Sequence, residues 1–174
     1  MILVRQAGSS DWHAIGTLVQ ESIFDAPSSH YGFSDLPQDA LKLGQQIVRL
    51  GDSEMGGCLV ADTHLGLAGI CQVLRGEFER CRHAALLSLL VHPVGRNKGI
   101  GRELLRQMEH RFIPDRSVQK VTMQIAETDE ALIHLVGTEG WRLERVSPNA
   151  LDLGRRRVAL HHYALDLADE SKQN

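Results

Sequence analysis

Arg96, Lys98 and Arg102 bracket Gly99 and Gly101 within seven residues of sequence. Three cations around two glycines is a composition suited to holding an anion. The apolar run Ala84 to Val91 precedes this stretch, and Glu103-Leu104-Leu105 opens a helical pattern behind it. A glycine-rich turn between a strand and a helix N-terminus gathers unpaired N–H groups at one point. The positive end of the helix dipole adds to them. Glycines lack Cβ, so a bulky anion can approach the backbone. With Asn97 and Ile100 completing the turn, the group that fits is a pyrophosphate. A Walker loop would need Gly-Lys-Ser/Thr after its second glycine, and Gly101-Arg102-Glu103 does not supply it. A dinucleotide fingerprint needs a third glycine where Leu104 stands.

The elements that position this turn can be read from periodicity. Met1 to Arg5 predicts a short strand. Ser9, Ser10 or Asp11 can cap a helix carrying Trp12, Ile15, Leu18, Val19 and Ile23 on one face. Phe24 to Asp35 predicts a loop. Pro37 suits the first turn of a second helix, which Gly51 can end. Cys58 to Asp62 and Leu65 to Leu74 predict two strands around Thr63-His64, followed by a charged connection, Arg75 to Arg82. Ala84 to Val91 is apolar except at Ser88, as in a strand buried on both faces. Gly99 to Phe112 predicts a helix closed by Pro114. Val121, Met123 and Ile125 alternate with polar residues as in a strand. Thr128 is the expected N-cap of a further helix, and Gly140 its stop. Trp141 to Val146 and Val158 to Leu167 predict two last strands, joined through Ser147-Pro148-Asn149. The order is β-α-α-β-β-β-α-β-α-β-β, a mixed α/β (α+β) sheet that begins antiparallel.

Length and charge narrow the class. The 174 residues predict one domain over 1–168 and a frayed tail over 169–174. A net charge of −3 gives no bulk case for a nucleic-acid partner. Basic residues cluster instead around 96–106 and 155–157. No apolar run reaches the ~20 residues of a membrane helix, and Met1 to Arg5 lacks the features of a signal peptide. Cys58, Cys71 and Cys81 are odd in number and lack metal-ligand spacing, which predicts reduced thiols, a cytoplasmic location and no metal.

The element order and the run Leu89-Leu90-Val91-His92-Pro93-Val94-Gly95-Arg96-Asn97-Lys98-Gly99-Ile100-Gly101-Arg102-Glu103-Leu104-Leu105 resemble the GNAT superfamily of N-acetyltransferases. That family's pattern is an apolar strand ending in Val-x-Pro, then Arg/Gln-x-x-Gly-x-Gly/Ala, then a helix with paired leucines. Glu130 to Trp141 resembles its next helix, which ends in Gly-aromatic. The resemblance implies a centrally splayed sheet and acetyl-CoA as cosubstrate. It puts the pantetheine arm beside Leu89, Leu90 and Val91 and the pyrophosphate on Arg96, Asn97, Lys98, Gly99, Ile100, Gly101 and Arg102. It also puts the thioester carbonyl on a backbone N–H near Leu90 or Val91.

The implied reaction moves an acetyl group to a primary amine of a small molecule or peptide terminus, by direct attack on the thioester. An alkylamine titrates at about 10, so a proton must be removed. Many family members carry a Glu six residues before the strand's final Val and a Tyr four residues before the later helix's Gly. Ala85 and Val136 stand there. This leaves two readings, an enzyme with other catalytic groups or an inactive acetyl-CoA-binding module. Ser88, His162 and Tyr163 are the candidate replacements: Ser88 to orient a water, and His162 or Tyr163 to line the acceptor pocket. Strand alternation puts His162 on the opposite face from His161 and Tyr163. His92 follows the strand and can titrate near neutrality. Asp129 stands near where the family often has an Asn touching CoA. The Phe24 to Asp35 loop is expected to border the acceptor, and the late strands would let two copies pair as a homodimer.

Overall fold

In the computed structural model, residues 2–22, 25–28, 39–51, 56–112 and 118–167 are described. The expectations for Met1, Ile23, Phe24, Pro37, Pro114, most of the loop to Asp35 and the tail lie outside them. Seven strands form one sheet in the order β1-β2-β3-β4-β5-β7-β6. They are β1 (Leu3–Gln6), β2 (Gly56–Thr63), β3 (Gly66–Arg75), β4 (Ala84–Val91), β5 (Lys120–Ala126), β6 (Arg142–Asp152) and β7 (Arg157–Asp166). Helices α1 (Trp12–Ser22) and α2 (Ala40–Gly51) lie between β1 and β2. Helix α3 (Ile100–Phe112) joins β4 to β5, and α4 (Glu130–Thr138) joins β5 to β6. Among the described residues, β4 and β5 are the one parallel pair. A helical crossover is what a parallel pair requires.

The sheet has a core on each face. Leu87 of β4, Met123 of β5, Leu104, Leu105 and Met108 of α3 and Val136 of α4 pack on one side. Ile15 and Leu18 of α1, Val48 of α2 and Val60 and Ile70 of the sheet pack on the other. Helix α2 begins where the Asp39 carboxylate accepts the Leu41 N–H at 3.0 Å. Among the described residues, no helix is long and apolar enough to cross a membrane.

The N-cap at the first helix is Gly8, not Ser9, Ser10 or Asp11, and it precedes a short 3-10 turn, Ser9–Asp11, that leads into α1. The Asp11 carboxylate reaches back across this turn to accept the Gly8 N–H at 2.8 Å. The Arg5 guanidinium bridges it at 2.7 and 2.8 Å. These hydrogen bonds hold the Asp11 carboxyl below the usual carboxylate range, against the cost of burial. The stability this adds is complete above the unfolded value near 3.9 and drains as pH falls through the lower folded value. Because Arg5 is 39 % exposed, the contribution sits near the low end for charged hydrogen bonds, roughly 1.5 kcal/mol. Urea midpoints should fall between pH 5 and 2 by a smaller amount in Asp11→Asn than in wild type.

Further expectations need correction. Strand β4 is not buried on both faces: Leu86 is 38 % exposed and Ser88 is exposed, both on the face opposite Leu87. Asp129, not Thr128, caps α4: its carboxylate accepts the Leu132 N–H, and the Thr128 hydroxyl is buried without a partner. Ser147-Pro148-Asn149 is not the link between the last strands. Strand β6 runs through it to Asp152, absorbing the extra residues as a shift in register between Ser147 and Leu151. Asn149 takes a left-handed φ of 53° there, as Asn tolerates. The connection is 153–156, where Gly154 has a φ of 82°.

Candidate active site

Strands β4 and β5 pair over only three positions, Ala84↔Lys120, Ala85↔Val121 and Leu86↔Thr122. Beyond Leu86 they separate, while β4 stays paired to β3 as far as Val91↔Gly69. The sheet is therefore splayed in the middle, open toward the C-terminal ends of both strands. The Thr122 hydroxyl closes the last paired position by donating to the Ala85 carbonyl at 3.3 Å.

Backbone parity decides which groups face the opening. The His92 N–H donates to the Ala68 carbonyl and the Gly76 N–H to the Ala84 carbonyl. Even-numbered residues of β4 therefore spend their backbone groups on β3, and Leu87, Leu89 and Val91 direct theirs into the splay. Of the two N–H groups expected near the reacting carbonyl, Val91 faces the cleft and Leu90 faces β3. On β5 the Glu127 N–H donates to the Ala159 carbonyl, and the Leu167 N–H reaches the Gln119 carbonyl. Odd-numbered residues thus bond to β7, leaving Gln124 and Ala126 to face the cleft.

A short segment bridges the mouth. The Arg96 guanidinium donates to the Val91 carbonyl at 3.3 Å and to the Asp25 carbonyl at 2.8 Å. Three residues on, the Ser28 hydroxyl accepts the Ala126 N–H at 3.1 Å and donates to the Asp129 carboxylate at 2.7 Å. Residues 25–28 thus run from the end of β4 to the end of β5. Sequence reasoning placed this loop beside the acceptor but missed Ser28, because its partners lie about a hundred residues away and leave no local signal.

The turn itself divides its labour. Asn97 and Gly99 have left-handed φ values of 59° and 80°, which curl the chain into a concavity of N–H groups. A Cβ built on Gly99 would meet nothing within 4 Å, so the surface there is open. Gly101 serves packing instead: a Cβ there would lie 3.1 Å from Leu135 Cδ2 of α4. Buried Ile100 anchors the start of α3. Arg102 donates to Glu139 at 2.7 Å, joined by Arg106, and so ties α3 to α4. Among the described residues, Lys98 alone of the three cations has no side-chain hydrogen-bond partner; its side chain borders a cleft of about 800 Å³ beside α1. His92 is engaged at both nitrogens. Nδ1 accepts the Val94 N–H, and Nε2 lies 3.3 Å from Glu21.

The replacement candidates fall on two faces. Ser88, exposed, shares a face with Gln124 and with His162, which pairs with Gln124 across β5 and β7. His162 Nε2 lies 3.1 Å from Arg145 Nη2 and 3.0 Å from Ser147 Oγ. Arginine only donates, so Nε2 is an acceptor there. Tyr163 lies on the other face, against the core that contains Val136. Ala85 and Val136 are both buried in that core.

A profile of the acetyltransferase (GNAT) family matches residues 19–137. The chain belongs to the GNAT acetyltransferase family. Acetyl transfer from acetyl-CoA is the reaction of this family. No curated protein matches the chain by sequence. Solved structures share its fold over nearly its whole length. The ribosomal-protein-alanine N-acetyltransferase of Brucella melitensis superposes with a TM-score of 0.84 at 22% identity, covering 95% of this chain and 99% of that one. A GNAT acetyltransferase of Streptococcus pneumoniae gives 0.83 at 16% identity, covering 95% and 99%. The yncA protein of Salmonella typhimurium, solved with its cofactor acetyl-CoA, gives 0.80 at 20%, covering 96% and 94%.

Proposed function

We propose that this GNAT protein is an acetyl-CoA-dependent N-acetyltransferase acting on a primary amine of a small molecule or peptide terminus. The observation that carries this is the splay between β4 and β5 with the 96–101 turn at its mouth. Acetyl-CoA supplies an acetyl group already activated as a thioester. The turn offers N–H groups and the α3 dipole to the pyrophosphate, and Lys98 is the cation of the turn with no side-chain partner among the described residues. Val91, nearest the turn, offers backbone partners to the pantetheine arm, and a cleft-facing N–H deeper in the splay, that of Leu89 or Leu87, is the donor for the thioester carbonyl. Ser88, exposed on β4, orients a water that relays the amine proton to bulk solvent, and His162 with Arg145 and Ser147 bounds the acceptor side. Tyr163 is the proton donor for the departing thiolate, from the face where Val136 stands. The three cysteine thiols fit a reducing compartment such as the cytoplasm.

The test is thiol release from acetyl-CoA across a panel of primary amines. Release should depend on the amine, and Tyr163→Phe should lower kcat about tenfold with the amine KM unchanged. General acids contribute more than this in many enzymes, but a thiol of pKa about 8.5 leaves without much help. A second reading, an acetyl-CoA-binding module without turnover, has one observation behind it: apolar Ala85 and Val136 at the base and acid positions. Tight cofactor binding with no thiol release from any amine would establish that reading instead.

A further inference from the structure

The β6–β7 ribbon is charged against the rest of the molecule. The chain has a net charge of −3, yet residues 142–157 hold Arg142, Arg145, Arg155, Arg156 and Arg157 against Glu144 and Asp152. Several of these charges are already paired. Arg142 bonds to Asp166, Glu144 takes Lys120 at 2.7 Å, and Arg157 lies 3.6 Å from Asp152. Arg145 faces an imidazole, and among the described residues Arg155 and Arg156 have no carboxylate partner. The nearby acids are committed elsewhere: Glu127 accepts the Ala159 N–H, and Asp129 holds Ser28 and caps α4.

Position gives this charge a use. Strand β5 ends at Ala126, opposite Leu160. The ribbon continues past it to Asp152↔Arg157 and turns at 153–156. It therefore overhangs the sheet at the end where β4 and β5 open. Arg145 stands beside His162, level with the splay. From His162 to Arg157 is five strand residues, or about 17 Å. An amine of amino-acid size does not span that distance and a long polyamine carries the wrong charge for the arginines, whereas an extended polypeptide of about five residues reaches it.

We infer that the acceptor is the N-terminal segment of an acidic polypeptide, with its amine at the splay and acidic side chains about five residues on, against Arg155 and Arg156. This rests on the transferase reading and names its substrate class. The test uses two peptides with a free N-terminal alanine, bearing three glutamates or three glutamines at the fifth to seventh positions. At low salt the glutamate peptide should show at least tenfold higher kcat/KM, and the preference should shrink as salt rises. The double variant Arg155→Glu, Arg156→Glu should abolish the preference while leaving acetyl-CoA affinity and turnover of a small neutral amine unchanged. Equal kcat/KM for the two peptides, a preference that survives the double variant, or a small amino acid turned over as well as the glutamate peptide would each overturn the inference. Anisotropy with peptides labelled at the C-terminus separates the two claims. Binding selective for the glutamate peptide without turnover removes the transferase reading and leaves the ribbon's recognition standing. Turnover without glutamate preference does the reverse.

Discussion

Gly44→Ala lowers the stability of the protein by about 3 kcal/mol, read as a fall in the urea midpoint at constant slope. A Cβ on Gly44 would lie 1.6 Å from the Trp12 carbonyl oxygen, and one on Gly16 would lie 1.8 Å from that of Ala40. The two helices cross with each glycine under the other's backbone. Backbone cannot swing aside as a side chain can, so α1 and α2 must separate, which puts the cost at the top of the usual overpacking range. The sign is the decisive part. Helix propensity alone predicts that Gly→Ala stabilises by about 1 kcal/mol. Gly137 in α4 is the control, because a Cβ there meets nothing within 4 Å. Gly137→Ala should gain roughly 0.5–1 kcal/mol. A gain at both positions would mean that the α1–α2 crossing is looser than described.

Gly99→Val should cost about a hundredfold in acetyl-CoA affinity. Gly99 sits at a φ of 80°, where a β-branched residue is strained by about 1–3 kcal/mol. The turn relieves that strain by changing its dihedrals, and its N–H groups then no longer converge. A hundredfold in affinity is about 2.8 kcal/mol, within reach of strain and lost anion contacts together. The valine side chain itself points into open space, so the fold should survive and acetyl-CoA affinity should report the damage. Gly101→Val differs in kind: it presses on Leu135 and should show first as lost stability. Equal affinity in wild type and Gly99→Val would place the phosphates away from this turn.

Much of this architecture was legible locally. The glycines and cations of 96–102, the apolar run before them and the helical spacing after them lie within one stretch of sequence. What failed needed distant information. Ser147-Pro148-Asn149 has the composition of a turn, but pairing with β7 carries β6 straight through it. Thr128 and Asp129 are both competent caps, and only the end of β5 selects between them. The partners of Arg96 and Arg102, the Asp25 carbonyl and Glu139, lie 71 and 37 residues away, beyond the reach of any local pattern. That Val91 and not Leu90 faces the cleft follows from the β3–β4 register, which no motif encodes. The Gly16–Gly44 crossing left only two small residues in helical patterns as its trace. Ser28 comes from the segment 25–28 and Arg145 and Ser147 from β6, so no local spacing in the sequence brings them together.

Calorimetric titration of acetyl-CoA into wild-type protein and Gly99→Val, with urea unfolding at matched ligand, tests the cofactor site most directly. Wild type should bind one equivalent, and at a hundred times Kd its stability should rise by about 2.7 kcal/mol. Gly99→Val should bind about a hundredfold more weakly. No heat and no stabilisation of wild type at millimolar acetyl-CoA would contradict the assignment of the splay and its turn to this cofactor.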